Sequence, residues 1–114
     1  MSSFSAVDNN DGTFRIECLF VVYFEKFKHH PDWLVGDNAI DGYHKPTPRD
    51  LREGVSTKFW ILVEDNILPD AADARLTSYR NKYDKLIPKL ENDDSRWNEF
   101  PFQNPKLHYV TYHK

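Results

Sequence analysis

Residues 13–24, TFRIECLFVVYF, restrict the fold of this chain more than any other segment of its sequence. Every second position is apolar, which is the period of an extended strand: Phe14, Ile16, Cys18, Phe20, Val22 and Phe24. The alternate positions begin polar, at Arg15 and Glu17, and become apolar from Leu19 onward. We therefore predict a strand with one face buried along its length and a second face that is exposed at the start and buried at the end.

A turn and a shorter apolar segment precede this strand. Residues 4–7 (FSAV) are followed at positions 8–12 by Asp-Asn-Asn-Asp-Gly. These residue types tolerate the positive φ angles that tight hairpin loops require. The sequence therefore predicts an N-terminal β-hairpin made of residues 4–7 and 13–24.

A short helix and a second strong strand are predicted in the middle of the chain. Thr47 suits an N-cap, Pro48 suits the first helical position, and Gly54 suits the end of the helix. Residues 55–65 (VSTKFWILVED) then alternate as a strand does. One predicted face is formed by Thr57, Phe59, Ile61 and Val63. The other, of mixed character, is formed by Lys58, Trp60, Leu62 and Glu64.

The principal helix is predicted over residues 69–87, where apolar side chains recur at helical spacing: Ala72, Leu76, Tyr79, Tyr83 and Leu86. Pro88 is expected to end or kink this helix, because proline lacks an amide hydrogen and clashes with the preceding turn. Residues 89–105 are interpreted as a polar connection that carries aromatic side chains, and residues 106–112 (KLHYVTY) as the last strand.

This order of elements predicts an α+β fold. Its sheet is small and antiparallel or mixed, built from the N-terminal hairpin, a central strand and a C-terminal strand, with one principal helix packed on a face. The length of 114 residues predicts a single domain over residues 1–114.

Composition argues against several classes of function. The net charge is -3 and charges of both signs are interspersed, unlike the basic surface of a general nucleic-acid binder. A weaker alternative, nucleic-acid binding, would use the cations of the principal helix and its end: Arg75, Arg80, Lys82, Lys85 and Lys89. The four glycines form neither a P-loop nor a dinucleotide fingerprint, so we expect no cofactor.

The sequence also bears on location. Cys18 is the only cysteine, which excludes an intramolecular disulfide. No apolar run approaches the roughly 20 residues of a membrane helix, and the first residues lack the pattern of a signal peptide. We expect a cytoplasmic protein, or a virion component if the source is a virus, with no membrane partner.

Residues 27–37 (FKHHPDWLVGD) raise the question of a metal or catalytic site. Side chains of adjacent histidines point to opposite sides of an extended chain, and no zinc-binding spacing occurs. The segment is therefore interpreted first as a polar turn. The alternative is a site in the loop from His29 to His44, with these candidate metal ligands: His29, His30, Asp32 and His44. A calcium loop fails, because Ala39 and Pro48 fall where oxygen ligands are needed.

Nucleophilic catalysis has little support, because no Gly-x-Ser-x-Gly motif occurs and Cys18 lies in the middle of a strand on its apolar face. A Cys-His pair would require His108 of the last strand to face Cys18, which the sequence leaves open. The acidic run at residues 91–94 is interpreted as a solvated face, or as a surface that meets a basic partner.

Aromatic side chains in predicted loops are the remaining unusual feature: Trp33, Tyr43, Trp97, Phe100 and Phe102. Such residues either anchor a partner or close the protein's own core. The favoured hypothesis is a non-enzymatic interaction or assembly protein, such as a small viral structural or accessory protein, an inhibitor or an immunity protein. It would bind a protein partner or copies of itself through these aromatics and its sheet edges. The alternative is an enzyme or a small-ligand or metal binder that uses the loop from His29 to His44.

Overall fold

The computed structural model describes residues 2–23, 47–102 and 106–113, and its four strands form one antiparallel sheet in the order β1-β2-β3-β4. The strands are β1 (Phe4–Asp8), β2 (Phe14–Tyr23), β3 (Ser56–Ile67) and β4 (Lys106–His113). The helices of the described residues are α1 (Pro48–Glu53), α2 (Pro69–Tyr83) and α3 (Leu86–Asn92), followed by a 3-10 helix (Asp94–Glu99). The predicted α+β class is confirmed, and the sheet is antiparallel.

The predicted N-terminal hairpin is present. Strand β1 pairs with β2 from Phe4 opposite Cys18 to Asp8 opposite Phe14. In the turn, Asn10 and Gly12 have φ angles of 62° and 89°, the positive values that its composition favours. Because β1 is the shorter strand, it pairs with only the first half of β2.

The core lies on one face of the sheet and is rich in aromatic rings. The alternating residues of β2 that were predicted to face inward are fully buried from Ile16 to Val22. The ring of Phe20 lies 5.0 Å from that of Trp97, 5.6 Å from that of Phe100 and 5.7 Å from that of Phe59, measured between centroids. The helices contribute Ala72, Ile87 and Leu90 to this same cluster. The sheet therefore has one face covered by α2, α3 and the 3-10 helix.

Helix α1 forms where its capping residues predict. The Thr47 hydroxyl accepts a hydrogen bond from the Asp50 amide, and the Asp50 carboxylate accepts one from the Thr47 amide. Gly54 ends the helix with a φ angle of 66°, which costs glycine little. This compact helix leads directly into β3.

The predicted end of the principal helix is wrong by one turn. Helix α2 ends at Tyr83, and α3 starts at Leu86 with Pro88 in its first turn. The ring of a proline clashes with the carbonyl four residues earlier, here that of Asp84, so the break precedes the proline. Inside α3, Pro88 replaces an amide that would have no helical acceptor in the first turn. The connection predicted over residues 89–105 thus contains the rest of α3 and the 3-10 helix.

A β-bulge moves Glu64 away from the face predicted for it. The pairing of β2 with β3 shifts around Ile16, so Glu64 lies opposite Ile16, a core residue, instead of continuing the face of Leu62. Its carboxylate accepts hydrogen bonds from the Arg75 guanidinium and from the Tyr79 hydroxyl, both on α2. A bulge commonly re-aims a side chain in this way. Glu64 therefore links the sheet to the principal helix.

Candidate functional site

The candidate site lies on the face of the sheet opposite the core, and it consists of three of the rows of side chains that cross β2, β3 and β4. The rows are Glu17–Leu62–Lys106, Leu19–Trp60–Tyr109 and Val21–Lys58–Thr111. No helix of the described residues contributes a buried side chain to this face. We call these rows, together with Arg15 and His108, the open face.

Trp60 and Tyr109 occupy the middle row of the open face and stack on one another. Their ring centroids are 4.1 Å apart and the ring planes differ by 12°. Trp60 is half-buried, whereas Tyr109 keeps 39% of its surface exposed. Burial, and to a lesser extent the nearby Glu17 carboxylate, raise the pKa of the Tyr109 phenol above its ordinary value, which already keeps the hydroxyl protonated at neutral pH. The stack presents a rigid aromatic surface beside the edge strand β4.

A buried carboxylate lies next to this stack. Glu17 is only 3% exposed, and its Oε1 lies 2.6 Å from Nε of Arg15 and 3.3 Å from Nε2 of His108. Arg15 also donates a hydrogen bond to the side-chain oxygen of Asn9. His108 is the extra residue where the pairing of β3 and β4 shifts, which allows its ring to reach across β3 toward Glu17. These contacts position the Glu17 carboxylate between Arg15 and His108.

The open face is positively charged although the whole chain carries -3. Arg15, Lys58 and Lys106 are cationic, and Glu17 is the one carboxylate among the residues that define this face. Strand β4 is also an edge strand, because no described strand pairs with its outer side. An edge strand offers unpaired backbone amides and carbonyls to an added strand.

The second face of β2 does not end buried as predicted. Tyr23 is 50% exposed at its end, while Glu17, near its start, is buried. The ring of Tyr23 lies at an open cleft beside α3, whereas Arg15 and His108 contact the carboxylate of Glu17.

Three of the predicted partner-binding aromatics lie in the protein's own core region. Trp97 and Phe100 are 6% and 9% exposed, and Phe102 is half-buried against Tyr79 and Tyr83. In the folded chain these rings cover the sheet, and partner binding through them remains a prediction.

The other predicted site residues fall outside the described residues. These are the partner-binding candidates Trp33 and Tyr43, and the candidate metal ligands His29, His30, Asp32 and His44. Within the described part of the chain, no three His, Cys, Asp or Glu side chains are grouped as a metal site would require.

The question of a Cys-His pair is resolved by the geometry. Cys18 is fully buried in the core, and His108 lies on the opposite face of the sheet beside Glu17. Burial, followed by the negative charges of Glu91 and Asp84, raises the pKa of the Cys18 thiol, which therefore stays protonated. Cys18 is a core residue, as its place in the strand indicated.

Two of the five cations proposed for nucleic-acid binding make structural contacts. Arg75 pairs with Glu64, and Arg80 donates a hydrogen bond to the carbonyl of Phe4. The helix therefore uses part of its positive charge to hold the N-terminal hairpin and β3.

Glu91 departs from the solvated face predicted for the acidic run. It is half-buried, and its Oε2 accepts a hydrogen bond from the amide of Val21, 2.9 Å away. The carboxylate thus accepts a hydrogen bond from the part of the β2 edge that does not pair with β1.

Sequence reasoning did not identify the pairing of Trp60 with Tyr109. The mixed character of the predicted Trp60 face was a signal, but which residue lies next to Trp60 depends on the register of β3 and β4.

None of the helices in the described ranges is long and apolar enough to cross a membrane. Comparisons with known protein families, with curated proteins and with solved structures found no match.

Proposed function

We propose that this protein is a non-enzymatic interaction protein, which binds an acidic, extended segment of a protein partner on its open face and along the free edge of β4. The observation that carries the proposal is the partly exposed Trp60–Tyr109 stack on a rigid sheet face. Tryptophan and tyrosine contribute much of the energy at protein interfaces, because they bury a large area with few rotatable bonds.

The charge around the stack favours an acidic partner. Lys106 belongs to β4 itself, and Lys58 lies in the row beside Tyr109. Strand β4 contains no Asp or Glu, so a second copy of β4 would offer these lysines no carboxylate to pair with. A segment with Asp or Glu at alternate positions would instead pair with these cations while its backbone extends the sheet.

The class of protein that fits is the one expected from the sequence: an inhibitor, an immunity protein or a small viral structural or accessory protein, acting in the cytoplasm or in a virion. The Glu17 carboxylate is engaged by Arg15 and His108, so its role in the proposal is to position the side chains of the binding surface.

Selection of displayed random peptides tests this proposal. The library is selected on the immobilised protein and depleted on a variant that carries both Trp60→Ala and Tyr109→Ala. We expect enrichment of extended peptides rich in Asp and Glu. Titration calorimetry with a synthesised peptide should show Tyr109→Ala weakening binding about 30-fold, which corresponds to about 2 kcal/mol for an interface hot spot.

Two further variants separate charge from aromatic contact. Lys106→Glu should weaken binding of the acidic peptide and reduce its dependence on salt, whereas Lys82→Glu on α2 serves as the control and should leave binding unchanged. Selected peptides that bind the wild-type protein and the Trp60→Ala/Tyr109→Ala variant equally well would contradict the proposal. So would salt-dependent binding of single-stranded oligonucleotides that requires these two rings, because the face would then bind nucleic acid.

A further inference from the structure

The edge of β2 opposite β3 has a free stretch that β1 does not reach. The last backbone contact with the N-terminal strand is the hydrogen bond from the Leu19 amide to the Ser3 carbonyl. In antiparallel strands, alternate residues direct their amides to the same edge, so those of Val21 and Tyr23 also point outward there. The Val21 amide is bonded by the Glu91 carboxylate instead of by a strand.

A cleft of about 310 Å³ lies at this free stretch, and the described residues that line it combine an aromatic ring, apolar surface and a carboxylate. They are Val21, Tyr23, Pro88, Glu91 and Asn92. This volume is at the lower end of the range for ligand sites, which suits one long side chain better than a large ligand. The Asn92 amide group donates a hydrogen bond to the Pro88 carbonyl and so fixes one wall of the cleft.

Glu91 supplies the charge of the cleft. Its carboxylate makes one hydrogen bond, to Val21, and no ion pair among the described residues. A carboxylate can accept about four hydrogen bonds, so most of its capacity is available to a ligand. Burial raises the pKa of Glu91, and the hydrogen bond from Val21 only partly opposes that effect. A cation placed beside it would favour the charged form.

We propose that this cleft binds an alkylammonium or guanidinium group, as carried by a Lys or Arg side chain of another protein. The group would pair with the Glu91 carboxylate and lie against the exposed ring of Tyr23, whose face attracts cations. Its aliphatic stem would contact Val21 and Pro88. The site lies at the free edge of β2, and β4 forms the opposite edge of the sheet. It shares Val21 with the open face but uses neither the Trp60–Tyr109 stack nor the lysines of that face, so it can be tested separately from the function proposed above.

Titration with a small probe, followed by two-dimensional amide NMR, tests the inference. The probe is Nα-acetyl-arginine amide, and its neutral control is the matching citrulline amide, which keeps shape but lacks charge. We expect saturable shifts at the amides of Val21 and Tyr23 with the arginine probe, with a dissociation constant of about 1 mM or weaker for so small a ligand. The citrulline probe should produce at least about tenfold weaker binding, because its neutral head cannot form the ion pair.

Variants test whether the Glu91 carboxylate and the Tyr23 ring bind the probe. Glu91→Gln, which keeps an acceptor for the Val21 amide, should abolish saturable shifts, whereas Glu99→Gln, outside the cleft, should not change them. Tyr23→Leu should weaken binding several-fold and Tyr23→Phe should retain it, because the ring face and not the hydroxyl contacts the cation.

Equal binding of the arginine and citrulline probes would overturn the inference, as would undiminished binding by Glu91→Gln or shifts spread over the surface without saturation. Selection of acidic peptides by the open face is a separate result, so the two proposals succeed or fail independently.

Discussion

Glu91 and Glu64 are both half-buried glutamates, yet the fold shifts their pKa values in opposite directions. Burial raises the pKa of Glu91 against one opposing hydrogen bond. For Glu64, hydrogen bonds from Arg75 lower the pKa more than burial raises it. The charge of Glu91 therefore costs stability in the folded chain, while the charge of Glu64 adds to it.

Glu91→Gln should stabilise the protein at neutral pH by less than about 1 kcal/mol, because a half-exposed carboxylate is partly screened by solvent. A raised folded-state pKa means that wild-type stability is lost as the pH rises through that pKa. The gain from the substitution should therefore be present at pH 7 and vanish below about pH 4, where the unfolded carboxyl is protonated as well. Urea denaturation across this range measures the difference. A gain that persists at low pH would contradict the assignment.

Glu64→Gln should have the opposite sign, with a loss of about 0.5–1 kcal/mol at pH 7, discounted because Arg75 is largely exposed. A lowered folded-state pKa adds stability above about pH 4 that is lost as the pH falls through the folded-state value. The deficit of the variant should consequently shrink in acid. Glu99→Gln, which removes an exposed pair with Arg96, is the control and should change stability less at every pH.

At the scale of elements, what could be predicted from the sequence is what local signals determine. Helix α1 has its N-cap, proline and glycine within its own residues, and β2 and β3 have their alternation. The turn of Glu64 toward α2 depends on which residue of β2 lies opposite, and the stack of Trp60 depends on the register of β4. Trp97 follows an acidic run and precedes a proline by a few residues, so nothing near it indicated burial.

The two helices α2 and α3 provide a test of the break before Pro88. Pro88→Ala should change the free energy of unfolding by less than about 1 kcal/mol, because the first turn of a helix tolerates proline. Ser78→Pro, at an exposed position within α2, should cost about 3 kcal/mol because it removes a helical hydrogen bond and clashes with the preceding turn. Thermal and urea unfolding give both values. If Pro88→Ala lowers the free energy of unfolding as much as Ser78→Pro does, the assignment of Pro88 to the first turn of α3 is wrong.

At the scale of the whole molecule, we propose different tasks for the two faces of the sheet. The covered face holds the cluster of Phe20, Phe59, Trp97 and Phe100, and the open face holds the Trp60–Tyr109 stack among cations. Stability should therefore depend on one set of aromatic rings and binding on the other.

Substitutions on the two faces separate these tasks. Trp97→Ala should cost about 3–5 kcal/mol, because it leaves a large cavity in the core. The double variant Trp60→Thr and Tyr109→Thr should cost no more than about 2 kcal/mol, since it removes one aromatic pair and introduces residues that favour strands. Urea denaturation followed by circular dichroism compares them, and the acidic peptide reports binding. If the double variant unfolds as readily as Trp97→Ala, the stack belongs to the core of the protein and the proposed binding surface is wrong. If it remains folded and loses the peptide, the open face is where this protein meets its partner.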